Sequence, residues 1–273
     1  MLESFGYAYM QRAMIAGVLI GALCAVIGVY VVLRGLAFIG AGISHASFGG
    51  VAIGVYLGVN PIWSAIVFCV LVAWGIGITS RKGHVKEDTA VGVFFASTMA
   101  LGILIIGLVQ GYQLDLFSYL FGSILAVTTQ DVWATVAITA LVLGTVMLLY
   151  KDLMFVAFDP EMAEVTGVPA SKLYFLLITM MALTVVMSIK VVGIVLVSAL
   201  IVTPAAAAYQ LTEKFRTMML LAVVFGVGSC VIGLAVSVPL KIASGAAIVL
   251  LSTIAFFVCA AFSPRRRRAR PIP

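Results

Sequence analysis

The stretch GLAFIGAGISHASFGG, residues 35–50, lies between two apolar runs, and the whole chain is read outward from it. Its one ionisable side chain is His45, one of two histidines in the protein. Around it stand small residues, branched aliphatics and two phenylalanines. An imidazole in such surroundings is costly unless it has a partner or a water-lined cavity. Gly50, Gly54 and Gly58 follow at every fourth residue. That spacing places them on one helical face, where small residues let a second helix approach closely. The reading is a pore-lining helix that carries a ligand nitrogen to membrane depth. The alternative is a histidine hydrogen-bonded between helices, with no ligand.

Composition sets the class. The chain has 273 residues, 64% of them hydrophobic and 10% charged, a balance foreign to soluble globular domains. Apolar runs recur along its whole length, so the expected fold is all-α: a polytopic helical membrane protein in a lipid bilayer. The runs are continuous rather than alternating, which argues against an outer-membrane barrel. The net charge of +6 sits in short basic patches between the runs. That pattern marks cytoplasmic loops and not a nucleic-acid surface. Cys24, Cys69, Cys230 and Cys259 all fall inside apolar runs with no C-x-x-C pair, as buried free thiols do. Glu3 and Arg12 precede the first span, and no cleavable signal peptide is expected.

Spans are expected at about 12–33, 41–57, 61–78, 90–109, 132–150, 173–188, 191–209, 218–238 and 245–262. Residues 111–129 are ambiguous. Their apolar part, 116–127, is short for a crossing and suits a re-entrant or interfacial helix. The basic patches at 81–86, 151–172, 213–216 and the arginine tail at 264–273 belong on the cytoplasmic side. The tail also suits contact with anionic lipid. Nine crossings put the N-terminus outside and the C-terminus in the cytoplasm. If the His45 segment stops short, the count is eight and the N-terminus moves inside. No second domain is visible, so residues 1–273 read as one transmembrane domain in a cell (inner) membrane.

The longest polar stretch, about 151–172, carries its own signals. Asp159 is an N-cap, Pro160 suits the first turn and Glu161 complements the dipole. Gly167 stops the helix, with Pro169 beyond. A helix of about two turns results. It is either a plain interfacial helix or a rigid element on which a soluble partner acts.

That loop, Asp159–Gly167 with Glu161 and Ala163 inside it, resembles the coupling helix that ATP-binding-cassette permeases press into their ATPase subunits. Residues 192–208, VGIVLVSALIVTPAAAA, resemble the conserved block of the zinc, manganese and iron uptake permeases. Residues 39–54, with Ser44-His45-Ala46, resemble their second hallmark, and 118–122, SYLFG, a third. The resemblance runs from Arg12 to Phe262. It implies a homodimer, two cytoplasmic ATPase subunits below it, and an extracellular or periplasmic metal-binding protein that delivers the ion. The metal would be cargo, with no permanently bound cofactor, and His45 would line its path. The family usually carries an aspartate one turn before this histidine; here the position is Ala41. Imidazole without a carboxylate leans toward zinc, with manganese next. Asp115 is a further oxygen donor without an assigned place.

Other residues carry simpler readings. His84, among Arg81, Lys82 and Lys86, is a solvated loop residue. Lys190 is expected to snorkel to the outer interface, and Pro204 to kink its helix. The chain has no G-x-x-x-x-G-K-[ST] loop, so no ATPase site of its own is expected, and no H-E-x-x-H. A transport subunit is therefore expected rather than an enzyme. The alternatives are a permease for a metal chelate or cobalamin-like ligand, and a stand-alone secondary carrier or channel. The last would not need the 159–167 helix.

Overall fold

The computed structural model describes residues 8–83, 85–109, 120–123, 127–240 and 242–264. Among the described residues there are eleven helices and no strand. They are α1 (Ala8–Leu33), α2 (Ala37–Tyr56), α3 (Pro61–Lys82), α4 (Glu87–Leu108), α5 (Thr129–Leu148), α6 (Tyr150–Phe158), α7 (Pro160–Val165), α8 (Ala170–Val192), α9 (Ile194–Leu211), α10 (Phe215–Leu240) and α11 (Ser244–Ala261). Nine of these, all but α6 and α7, are long and apolar enough to cross a membrane. The chain is an all-α polytopic membrane protein. The His45 helix α2, with 20 residues, is one of the nine. The expected residues His84, Asp115, Ser118 and Tyr119, most of the ambiguous 116–127 segment and the arginines of the tail lie outside the described residues.

Local signals fix the helix starts. The Asn60 side chain accepts from the Ile62 amide at 3.0 Å, with Pro61 opening α3. Thr128 and Asp131 form a capping box at the head of α5, their side chains each bonding the other's backbone amide. The polar stretch at 151–172 holds more structure than its sequence suggests. After a break at Leu149 the chain turns into α6, which buries Leu153, Val156 and Ala157 before α7 begins.

The spans α1, α2 and α8 are each 72% buried, against 17% for α4, so the first three form the interior and α4 lies at the periphery. Without a hydrophobic drive between helices in lipid, close packing holds such a bundle together. Small residues supply it. A Cβ on Gly21 of α1 would sit 2.7 Å from the Gly226 carbonyl oxygen of α10. On α2, a Cβ at Gly50 would meet the Ala65 Cα at 2.7 Å, and one at Gly54 the Pro61 Cα at 2.7 Å, both on α3. On the α4 side, a Cβ at Gly42 would meet Val91 at 2.6 Å. So α2 is wedged between α3 and α4. Gly58 does not belong to that packing face. The helix ends at Tyr56, Gly58 takes φ +68°, and nothing lies within 4 Å of a Cβ placed there. Its role is the left-handed turn that leads to α3.

Candidate functional site

Phe38, Ala41 and His45 follow one another at helical spacing along α2, on the strip that its neighbours leave partly open. Phe38 is 51% exposed at one end of this strip, and His45 is half-buried at the other. The His45 ring meets the Phe95 ring of α4 edge-on, at 4.7 Å between centroids and 86° between planes. Its nitrogens make no hydrogen bond within the described residues. The backbone around it is firmly held. Ser44 is fully buried and donates its hydroxyl to the Ile194 carbonyl at the head of α9. The imidazole is thus presented by a helix pinned on three sides, with a nitrogen free to ligate. Ala41, one turn earlier, offers no donor. Among the described residues no three His, Cys, Asp or Glu side chains come together. An ion held by His45 would need further ligands from water, backbone or a second subunit.

The stretches quoted from the sequence meet around the turn between α8 and α9. Gly193 (φ +93°) and Gly122 (φ +76°) cross backbone to backbone; a Cβ on Gly193 would lie 2.5 Å from the Gly122 nitrogen. The Ser123 amide donates to the Lys190 carbonyl at 3.0 Å. Ser244, at the head of α11, donates its hydroxyl to the Val191 carbonyl at 3.1 Å. Ile194, one residue past the crossing, takes the Ser44 bond. Positive φ and the absence of room for a Cβ both demand glycine at 122 and 193.

Lys190 does not simply snorkel. Its ammonium bonds both carboxylate oxygens of Asp131, at 2.8 and 2.7 Å, and so ties α8 to the head of α5. The side chains are 24% and 13% exposed, so the pair is substantially withdrawn from solvent. The T-x-x-D spacing of Thr128 and Asp131 before an apolar run was the readable signal for half of this arrangement. Nothing local in the sequence named Lys190 as the partner.

A second cluster gathers where α1, α3, α4, α6 and α8 have their ends. Arg34 donates to the Val156 carbonyl of α6 at 2.7 Å. Arg81 stacks over the Tyr174 ring at 4.2 Å, and the Tyr174 hydroxyl donates to Glu87 at 3.0 Å. Burial, then the charge of Arg81, pull the Arg34 guanidinium below the usual arginine range, while Glu87 acts against them. Arginine nevertheless stays charged at physiological pH. Beside this cluster stands α7. The Asp159 carboxylate accepts from the Met162 amide at 2.9 Å, Pro160 opens the helix and Glu161 lies exposed in its first turn. Ala163 is fully buried and seats the helix on its neighbours. Gly167 closes it at φ +89°. Met162 and Val165 are 52% and 82% exposed, two apolar knobs that no capping or spacing signal in the sequence marks.

Residues 6–263 match the family model described as the ABC 3 transport family. The chain is 41% identical over 264 residues to the manganese transport system membrane protein MntC of Halalkalibacterium halodurans, covering 97% of this chain and 90% of that one. It is 33% identical over 256 residues to the chelated iron transport system membrane protein YfeD of Yersinia pestis, covering 94% and 86%. Among solved structures it resembles PsaBC from Streptococcus pneumoniae in complex with Fab, with a TM-score of 0.88, 33% identity and 98% coverage of both chains.

Proposed function

The chain belongs to the ABC 3 transport family, and on that premise we propose that it is the permease of an ATP-driven importer for divalent metal ions, with His45 in the path. The observation that carries the reading is a family match spanning nearly the whole chain, with relatives on both sides named for metal transport. A permease subunit moves its cargo and does no chemistry on it. Its place is the cell membrane, with ATPase and substrate-binding partners.

The finer assignments are these. The basic ends of α3, α6 and α10 face the cytoplasm with the C-terminus, and nine crossings leave the N-terminus outside. Two cytoplasmic ATPase subunits act on α7 through Met162 and Val165, and a binding protein on the outer side delivers the ion. Two permease subunits, copies of this chain, meet around the path. A two-fold axis then brings two imidazoles toward one ion, with water or backbone carbonyls completing its shell. Such a half-protein shell binds weakly, which transport requires, since an ion held tightly would not leave. Closure of the ATPase subunits moves α7 and α6, and access to the path alternates.

We assign manganese as the cargo, on the names of the relatives. Zinc is the second reading, favoured by Ala41 in place of a carboxylate. Proteoliposomes with permease, ATPase and binding protein, given labelled manganese in competition with zinc, test both. Manganese accumulation that requires ATP and resists equimolar zinc supports the first. Preferential zinc accumulation supports the second. Accumulation without ATP would overturn the importer and leave a stand-alone carrier.

A further inference from the structure

We propose that the cavity between the α5–α6 break and the head of α10 binds the phosphate of an anionic phospholipid. The cavity has a volume of about 650 Å³, and its lining includes Tyr150, Lys151, Lys214, Phe215 and Arg216. A second cavity of about 530 Å³ shares Tyr150 and Lys151 and reaches Met147, Leu148 and Asp152. Lys151, Lys214 and Arg216 are exposed, and none has a side-chain partner among the described residues. Asp152 and Glu213 are the carboxylates nearest in the chain, so the surface stays net positive.

One further feature points to an anion with a phosphate's hydrogen-bonding capacity. The first-turn amides of α10, a helix of 26 residues, have no intrahelical acceptors and face a favourable dipole for negative charge. The Tyr150 ring is braced against Phe215 at 5.5 Å between centroids. The rest of the edge is apolar. Met147 and Leu148 are 78% and 87% exposed, and Leu220 and Val224, one and two turns beyond Arg216, are 69% and 64% exposed. Cations at the mouth and open aliphatic strips on α5 and α10 match a headgroup with its acyl chains, and not a free phosphate.

Native mass spectrometry of the purified permease in detergent tests this with three probes: phosphatidylglycerol, phosphatidylcholine of the same chains, and inorganic phosphate. The expected result is retained phosphatidylglycerol, little phosphatidylcholine and no displacement by millimolar phosphate. The variant Lys151→Gln/Lys214→Gln/Arg216→Gln should retain roughly tenfold less phosphatidylglycerol or below. The charge-keeping variant Lys151→Arg/Lys214→Arg/Arg216→Lys should retain it. Since all three residues are exposed, melting without added lipid should not change. Equal retention of both lipids, an unaffected glutamine variant, or ready displacement by phosphate would overturn the proposal. So would a glutamine variant that keeps its lipid but no longer co-purifies with an ATPase subunit, which would make the patch a partner's seat. The readout is bound lipid, so its failure is separate from any failure of the transport reading.

Discussion

Arg34, in the turn that leads into the His45 helix, donates a 2.7 Å hydrogen bond to the carbonyl of Val156 in α6, three residues before the cap of α7. A guanidinium thus joins the root of α2 to the segment that leads into α7. If an ATPase subunit acts on α7, as proposed, this contact links that action to the base of α2.

Arg34→Ala should therefore uncouple. A charge-assisted hydrogen bond is worth about 1.5–3 kcal/mol, enough to loosen the contact without unfolding nine spans. ATPase subunits should still bind and hydrolyse ATP, while metal uptake per ATP falls several-fold. Transport and hydrolysis measured on the same proteoliposomes check it. An unchanged ratio would remove Arg34 from the coupling route.

The Lys190–Asp131 pair should behave as a partly buried ion pair. Lys190→Met or Asp131→Asn alone strands a charge and should cost about 1–3 kcal/mol, whereas Lys190→Met/Asp131→Asn together should recover most of it, since the asparagine can still accept from the Thr128 amide. A double-mutant cycle on thermal stability in detergent separates this from additive loss.

Three glycines should respond differently to one methyl group. Gly193→Ala meets both a strained φ of +93° and the Gly122 backbone, and should abolish folded protein. Gly50→Ala must push α2 from α3, since its Cβ would lie 2.7 Å from Ala65 Cα. Gly58→Ala has open space and should lose only the left-handed penalty of about 1–2 kcal/mol. Yield and melting temperature rank them.

The exposed knobs of α7 give a docking test. Val165→Asp should lose ATPase co-purification with the permease still folded, because Val165 is 82% exposed and packs on nothing it must keep. Asp159→Ala should act more mildly, costing about 1 kcal/mol of helix cap. Co-purification at wild-type level for Val165→Asp would move the docking site elsewhere.

What was legible in the sequence follows from range. The nine spans stand out because each is a local excess of apolar residues, and the α7 cap because Asp159, Pro160 and Gly167 act on their own neighbours. Gly50 and Gly54 could be placed on one face from spacing alone. Gly58 could not be separated from them, since a helix end one residue earlier changes a packing glycine into a turn glycine. The contacts that hold the site are long-range: Ser44 to Ile194, Lys190 to Asp131, Arg34 to Val156. No periodicity encodes such partners. The helix α6 was hidden for a different reason. Its charged residues Lys151 and Asp152 read as loop, while the apolar residues that bury it meet partners distant in sequence.

If His45 ligates the transported ion, as proposed, removing its imidazole must slow uptake. The direct measurement is ATP-driven uptake of labelled manganese by reconstituted complex carrying His45→Ala, beside the wild type, with assembly checked by ATPase co-purification. A tenfold or greater fall in initial rate with assembly intact is the predicted result, since the proposed site takes one imidazole from each subunit and would lose both. Uptake at the wild-type rate would exclude His45 as a ligand of the transported ion.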